Sequence, residues 1–133
     1  MREILFRGKA VGSLKWVEGF YFREAGSFIK ELPSAVSTET HMVYEDTVGQ
    51  YTGLTDKNGK KIFEGDIVKH YNHCEIKEYS EDIGRVFYYA NTCRFLRTSK
   101  LFPDDCPEIH SSCEYEVIGN IYDNPELLKG GEE

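Results

Sequence analysis

Long apolar runs are missing from this sequence. No stretch approaches the roughly 18 apolar residues that a membrane-spanning helix needs, and the opening MREILFRGKAVG carries charges where a secretory signal would place its apolar segment. We therefore expect a cytoplasmic protein without membrane contact. Cysteines are few, at positions 74, 93, 106 and 113, and in that compartment they should be reduced thiols rather than a disulfide framework.

Motifs for the commonest catalytic and ligand sites are also missing. The glycines near the centre lack the Gly-x-x-x-x-Gly-Lys-Ser/Thr pattern of a phosphate-binding loop. The four histidines and four cysteines carry no local motif that marks a nucleophile and its base. Internal repeats and low-complexity runs are absent. We expect a non-enzymatic protein with no catalytic residue and no cofactor.

Aromatic residues and dispersed glycines are plentiful instead. The chain has 9 Tyr, 8 Phe, 1 Trp and 12 Gly among 133 residues. Rings fit a half-buried pleated surface and glycines serve its turns, so this composition favours β structure. With 40% apolar and 29% charged residues, the chain is too hydrophobic to be disordered, and its length suits one compact unit over residues 1–133.

Charge is distributed unevenly along the chain. The formal net charge is −7, yet residues 1–30 hold six basic against three acidic side chains, which is +3, and the remainder is therefore −10. One interpretation is an ordinary solvated surface. The other is that the basic N-terminal segment docks on an acidic body, either its own or a neighbour's.

Alternating apolar residues and turn residues predict a series of short strands. A shared apolar face can stabilise three or more such strands, and closure removes their exposed edges. We therefore predict a mainly β fold with a small SH3-like barrel over about residues 45–124, within a domain 45–133, preceded by an N-terminal β segment and loop over residues 1–44. DNPELL predicts a short C-terminal helical turn. The predicted strands cover residues 2–7, 15–22, 27–30, 41–44, 67–71, 75–79, 83–89, 93–98 and 115–122.

The central stretch YTGLTDKNGKKIFEGDIV, residues 51–68, predicts two turns. Asn58 and Gly59 accept positive φ readily and separate two extended segments. Gly65 and Asp66 suit a tight bend into the next strand. Glu64 and Asp66 also invite a paired-carboxylate interpretation, but the intervening glycine indicates a bend rather than a shared face, and we favour turn and surface roles.

Four blocks resemble the YopX family of small phage and prophage proteins, found mainly in Gram-positive bacteria. The blocks are MREILFRGK, KWVEGFYF, VGQYTGLTDKNGKKIFEGDIVKH and YEVIGNIYDNPELL. The resemblance implies a mostly β protein with an SH3-type barrel that tends to self-associate. The family has no assigned activity, so it supplies no catalytic residues. The matching turn positions, Gly53, Gly59, Gly65 and Asp66, carry over as structural ones.

Histidine and cysteine form two local groups that zinc would accept. Neither has the Cys-x-x-Cys spacing of a structural zinc site, and such side chains are common at loops and strand ends. We therefore predict no metal and leave zinc as the alternative. The groups are His70, His73 and Cys74, and Cys106, His110 and Cys113.

Residues 85–100, RVFYYANTCRFLRTSK, contain basic and aromatic side chains and no acid. Basic residues neutralise phosphates while rings stack on bases, as in small barrels that hold single-stranded nucleic acid. The acidic remainder of the chain opposes this function. The candidate contact residues, for nucleic acid or protein, are Arg85, Tyr88, Arg94, Phe95, Arg97 and Lys100.

Self-association is the function that the sequence favours. Aromatic residues in the N-terminal strands supply apolar area for an interface, where Trp and Tyr are favoured anchors. We therefore predict a phage or prophage accessory protein that acts by binding and forms homo-oligomers, with a phage or host protein as a further partner. The alternative is the nucleic-acid function. The predicted oligomer contacts are Trp16, Phe20, Tyr21 and Phe22.

Overall fold

The structure is a computed structural model that describes residues 4–31, 39–71, 82–100, 104, 106–109 and 114–128. The chain divides into two compact units, Met1–Gly53 and Leu54–Glu133. The sequence-based division after residue 44 falls within the first of these units.

The first unit is built on an antiparallel sheet. A 3₁₀ helix, Glu45–Thr47, separates its fourth and fifth strands. The strands of the first unit are β1 Phe6–Lys9, β2 Trp16–Arg23, β3 Ser27–Glu31, β4 Thr40–Met42 and β5 Gly49–Thr55. With β6, Lys61–Phe63 of the second unit, they are hydrogen-bonded in the order β4-β3-β2-β1-β5-β6, and β5 crosses the boundary between the units.

One face of this sheet is buried. Strand residues two apart share a face, so Phe6 of β1 lies on the same side as Ile29 of β3, and Ile29 has no exposed area. Val43, next to β4, is 3% exposed, and a Cβ on Gly8 would touch it. A single bridge, Ala10↔Val43, links the end of β1 to the end of β4. One bridge is not a continuous ladder, and the sheet is not a closed barrel.

The second unit contains a four-stranded antiparallel sheet. Its order is β10-β7-β8-β9, with a register shift in β10 between Val117 and Gly119. A second 3₁₀ helix, Pro125–Leu128, follows β10. The strands of this unit are β6 Lys61–Phe63, β7 Asp66–Tyr71, β8 Asp82–Tyr89, β9 Arg94–Arg97 and β10 Glu114–Asn120.

Alternation along these strands builds the core of the second unit. Each strand contributes side chains from one face, and full burial of such an apolar side chain is worth about 1.5–3 kcal/mol. Leu54 and Val117 pack against this core and are partly buried. The core residues are Ile62, Val68, Val86, Phe95, Ile109 and Tyr115.

The mainly β prediction is confirmed. Two antiparallel sheets form, and neither closes into a barrel within the described ranges, so the SH3-like arrangement stays a prediction. Most predicted strands are present, although the first lies at Phe6–Lys9 instead of residues 2–7. Strands β5 and β6 correspond to the two extended segments expected on either side of the Asn58–Gly59 turn, for which no bounds were predicted. The strand expected at residues 75–79 lies outside the described residues. The predicted helical turn is the second 3₁₀ helix.

Candidate interaction surfaces

Four large apolar side chains lie together on the outer face of the first unit's sheet. Phe20 and Phe22 are two apart on β2, Phe22 pairs with Phe28 of β3, and Phe28 pairs with Met42 of β4. Directly paired residues share a face. The rings of Phe22 and Phe28 stack at 5.4 Å, yet Phe20 is 51% and Met42 49% exposed. We call these four residues the apolar face.

Opposite charges border the apolar face. Lys30 of β3 is paired with Phe20, and Glu18 lies two residues before Phe20 on the same side of β2. Both charged residues are exposed. The surface therefore has an apolar centre with an acid and a base beside it.

The other two predicted oligomer contacts are placed differently. Trp16 is half-buried, and its ring has the guanidinium of Arg7 at 4.7 Å from the centroid. Tyr21 points to the opposite side of β2, where its ring lies 5.6 Å from that of Phe6 and its hydroxyl lies 3.2 Å from the Ser27 hydroxyl. Tyr21 is therefore not part of the apolar face. Phe28 and Met42 were missed, because only the strand pairing brings them beside β2.

The β8–β9 hairpin divides the predicted nucleic-acid residues between two faces. Tyr88 pairs with Phe95, and Val86 with Arg97, so these four side chains share one face. Phe95 is 7% and Arg97 3% exposed. Their face of the hairpin packs into the core, so these two residues contribute little exposed area, and their place in a contact surface stays a prediction. Tyr88 is exposed at the end of the hairpin, edge-on to Phe95.

A buried ion pair accounts for the position of Arg97. Its Nη1 donates to Asp82 Oδ2 at 2.8 Å, and its Nη2 lies 3.4 Å from His70 Nδ1. The Asp82 carboxylate also accepts hydrogen bonds from the Ser99 hydroxyl at 2.6 Å and the Lys100 backbone N–H at 3.0 Å. Buried charges are stable only when they are paired and hydrogen-bonded in this way.

The remaining cations of the hairpin are exposed or half-buried and contact the chain itself. Arg94 pairs with Glu108 at 3.1 Å, and Arg85 lies over the ring of Phe87 at 5.1 Å. Lys100 donates to the backbone carbonyl of Leu127 at 3.3 Å. Exposed pairs of this kind are weak, so these side chains can exchange partners.

The central stretch forms two backbone turns, at Gly59 and at Gly65, while Gly53 lies inside β5. Gly53, Gly59 and Gly65 have φ values of 92°, 84° and 94°, which side chains other than glycine rarely adopt. Asn58 precedes Gly59 in the β5–β6 turn, and its own φ is not positive. Asp66 is 1% exposed, and its Oδ2 accepts the Phe63 backbone N–H at 2.7 Å. This carboxylate supports the bend into β7.

Asp56, which the sequence analysis did not single out, organises the same turn. Its Oδ1 accepts the backbone N–H groups of Asn58 and Lys60, and its Oδ2 accepts that of Val117, each at 2.9 Å. Burial raises the pKa of this carboxyl, but the three hydrogen bonds and the Lys60 charge together lower the pKa below its usual value. The position of an Asp three residues before Gly59 is the sequence feature that could have indicated this role.

The structure describes only part of the two histidine and cysteine groups for which zinc is the alternative. His70 is buried beside Arg97, and Cys106 is an exposed free thiol. His73, Cys74, His110 and Cys113 lie outside the described residues. The absence of metal at these groups therefore stays a prediction.

Comparison with known proteins places the chain in a family. It belongs to the YopX protein family, whose profile matches residues 18–129. It is also similar to the crystal structure of protein EF1440 from Enterococcus faecalis, with 24% identity, 96% of this chain and 99% of that chain covered, and a TM-score of 0.57. This likeness shows the fold alone. A search of curated proteins finds no match.

The described residues contain no helix of the length and hydrophobicity that a membrane span requires.

Proposed function

We propose that this protein is a non-enzymatic accessory protein of a phage or prophage that acts by binding, and that it self-associates through the apolar face. The observation that carries the proposal is the grouping of Phe20, Phe22, Phe28 and Met42 on one outward sheet surface. Contiguous exposed apolar patches mark interaction sites in soluble proteins. Aromatic rings contribute strongly there because they bury much area with few rotatable bonds.

A second copy of this chain is the occupant that the charges favour. In a two-fold interface the same patch meets itself, so it must be complementary to itself. Glu18 and Lys30 lie beside Phe20 and have opposite charges. In a two-fold dimer, Glu18 of each copy would approach Lys30 of the other around the apolar centre.

Light scattering of the full chain tests self-association. We expect a mass above the 15.3 kDa of the monomer for the unmodified protein at high concentration, and a mass near 15.3 kDa for the double variant Phe20→Ser/Phe22→Ser. Both side chains are exposed, so the variant should fold, which circular dichroism would verify.

The matched control is Tyr88→Ser/Tyr89→Ser. This variant also removes two adjacent exposed rings, which are 42% and 41% exposed, but from the second unit. It should associate like the unmodified protein. A monomeric unmodified protein at the highest concentration would overturn the proposal, as would association that survives loss of both phenylalanines.

The phage role has its own test. Its support is membership of the YopX family, because the resemblance to that family implies a phage or prophage protein. We expect the amount of this protein in a lysogenic host to rise on prophage induction, measured by quantitative mass spectrometry against constant host proteins. An unchanged amount would contradict the role.

The SH3-like arrangement of residues 45–124 belongs to the same proposal. The four-stranded sheet β10-β7-β8-β9 and its one-sided core are compatible with a small barrel that closes through further residues. An experimental structure in which these strands remain an open sheet would contradict it.

Single-stranded nucleic acid binding is the second candidate function. Arg85, Phe87 and Tyr89 alternate on one face of β8, and Arg94 pairs with Tyr89 on that face. The exposed ring of Tyr89 and the half-buried ring of Phe87 lie beside these cations, which suits stacking and phosphate contact. We would expect affinity for single-stranded DNA that falls as salt rises and that Arg85→Ala/Arg94→Ala weakens. Absence of binding at low salt would exclude this function.

A further inference from the structure

Two glutamates and a histidine of the first unit converge at one end of the β3–β4 pair. Glu31 is the last residue of β3, and its backbone N–H donates to the carbonyl of Glu39 at 2.8 Å, so the two glutamates face each other across the strands. His41 lies two residues after Glu39 and therefore on the same side of the sheet. Its Nε2 is 2.7 Å from Glu31 Oε2 and 3.6 Å from Glu39 Oε1.

A positive charge would stabilise this arrangement. Like charges at directly facing strand positions are destabilising. Both carboxylates approach the same imidazole nitrogen, and one atom from each of the three side chains lies within 4.8 Å of the other two. A bound cation at this point would offset the repulsion.

The three side chains line a groove. It has a volume of about 640 Å³ and is also lined by the β1–β2 connection, including Val11, Lys15 and the first residues of β2, Trp16 and Val17. This size falls within the range of small-molecule sites, which often occupy the open end of a curved sheet. The groove gives solvent and small ligands access to the carboxylate and imidazole atoms.

We propose that Glu31, Glu39 and His41 bind a divalent transition metal ion, with zinc as the best fit. Zinc accepts imidazole nitrogen and carboxylate oxygen at about 2.0–2.2 Å, which places neighbouring ligand atoms of a tetrahedral site about 3.3–3.6 Å apart. The 2.7 and 3.6 Å separations reach this spacing with sub-ångström side-chain shifts. Calcium and magnesium prefer oxygen ligands throughout, so the imidazole selects against them.

Three protein ligands leave at least one coordination position open to the groove. Structural zinc sites are closed by four protein ligands, whereas sites that exchange water or bind a further ligand keep a free position. The metal at this site would therefore hold water or a small ligand in the groove. The three ligands lie on the other side of the sheet from the apolar face, although Met42 of that face also lines the groove. The proposal does not depend on self-association.

Calorimetric titration of the full chain with zinc tests the site. We expect saturable binding of one ion by Glu31, Glu39 and His41, and an affinity at least about 10-fold weaker in Glu39→Gln and in His41→Ala. The Glu39 side chain is 67% exposed, so its replacement should not affect folding. Affinity should also fall as pH is lowered, because protons compete for all three ligands.

The control is Glu24→Gln, which removes an exposed carboxylate from the turn between β2 and β3 and should leave the affinity unchanged. Cobalt is the second probe, because the chain also has thiols such as Cys93 and Cys106 that bind zinc. Cobalt at the proposed site should show only the weak visible bands of nitrogen and oxygen coordination. Absence of zinc binding would overturn the proposal, as would binding that survives both substitutions or intense thiolate-to-cobalt charge-transfer bands.

Discussion

At the scale of single residues, Asp56 links the stability of the second unit to pH. Its carboxylate accepts backbone hydrogen bonds from Asn58, Lys60 and Val117, and these hold its pKa below the ordinary value of 3.8 against the opposing effect of burial. Because the pKa is lower in the folded than in the unfolded chain, the carboxylate stabilises the fold above the unfolded pKa. That stabilisation is lost as pH falls through the folded pKa.

Replacing Asp56 should therefore destabilise the protein mainly at neutral pH. We expect Asp56→Ala to lower the free energy of unfolding by about 2–4 kcal/mol at pH 7, because three N–H groups lose a charged acceptor. The loss should shrink below the ordinary carboxyl pKa. Urea unfolding at pH 7 and at a pH below 3.8 measures this loss of stability. The control is Asp46→Asn, which replaces an exposed carboxylate. A loss that is independent of pH would contradict this role.

The buried pair of Arg97 and Asp82 gives a second residue-scale prediction. Arg97→Met should cost about 3–5 kcal/mol, because it leaves the Asp82 charge buried without its partner. The double variant Asp82→Leu/Arg97→Met should be no less stable than Arg97→Met alone, since it removes that charge as well.

Chemical denaturation of the two variants tests the pairing. Arg94→Met is a suitable control, because Arg94 lies on the same strand in an exposed pair with Glu108, and it should change stability by less than about 0.5 kcal/mol. A double variant that is clearly less stable than Arg97→Met would contradict the pairing.

Sequence alone could predict part of this arrangement. Arg94 and Arg97 are three positions apart in one strand, so alternation places them on opposite faces. Which face is buried depends on the partner Asp82, which belongs to another strand. The positive φ of Gly59 was easier to predict, because it depends on the local turn alone.

At the scale of elements, Gly84 permits a close strand crossing. A Cβ on Gly84 would overlap the backbone carbonyl oxygen of Thr98, because the chain after β9 continues across β8 and Thr98 donates its N–H to the Arg85 carbonyl at 3.0 Å. A backbone atom cannot move aside as a side chain can.

Gly84→Ala should therefore cost about 3 kcal/mol or more. The comparison is Gly59→Ala, where φ is +84° but no atom lies within 4 Å of the added carbon. There the cost should be only the conformational strain, about 1–2 kcal/mol. Thermal unfolding of both variants ranks the two effects, and equal losses would contradict the crowding at Gly84.

Strands β5 and β6 show why the sequence predicted extended segments around Gly59 without their bounds or partners. β5, GQYTGLT, contains two glycines and little apolar alternation, and β6 has three residues. Intrinsic β preference is weak and depends on the neighbouring strands. β5 becomes a strand because it lies between β1 and β6, and β6 becomes one because it pairs with β5. A single sequence does not reveal these partners. The zinc site was missed for the same reason, since only the strand pairing brings Glu31 to Glu39 and His41.

At the scale of the whole molecule, exchanging the charges of Glu18 and Lys30 tests the geometry of the proposed two-fold interface. Glu18→Lys should weaken self-association, because each copy would then present two positive side chains around the apolar face. Glu18→Lys/Lys30→Glu restores opposite charges and should recover the association. Sedimentation at several concentrations and at low salt measures both.

If the double variant does not recover association, Glu18 does not pair with Lys30 of the other copy. Contact through the apolar face would then still have to be tested by the phenylalanine variants. The sequence indicated uneven charge along the chain, but not this pair. The net charge of +3 over residues 1–30 does not say which charged side chains lie next to each other in the fold. The relation between Glu18 and Lys30 follows from the β2–β3 register.

The hydrogen bond from Val117 to Asp56 spans 61 positions, and it sets an order of events on the ribosome. In the first unit, β1 to β4 pair with their neighbours in sequence, so their hairpins can form soon after they are synthesised. The second unit must wait for β10, which pairs with β7. Until translation reaches that strand, the Asp56 carboxylate and one edge of β7 await their partners, and the nascent protein depends on rapid completion or on chaperones.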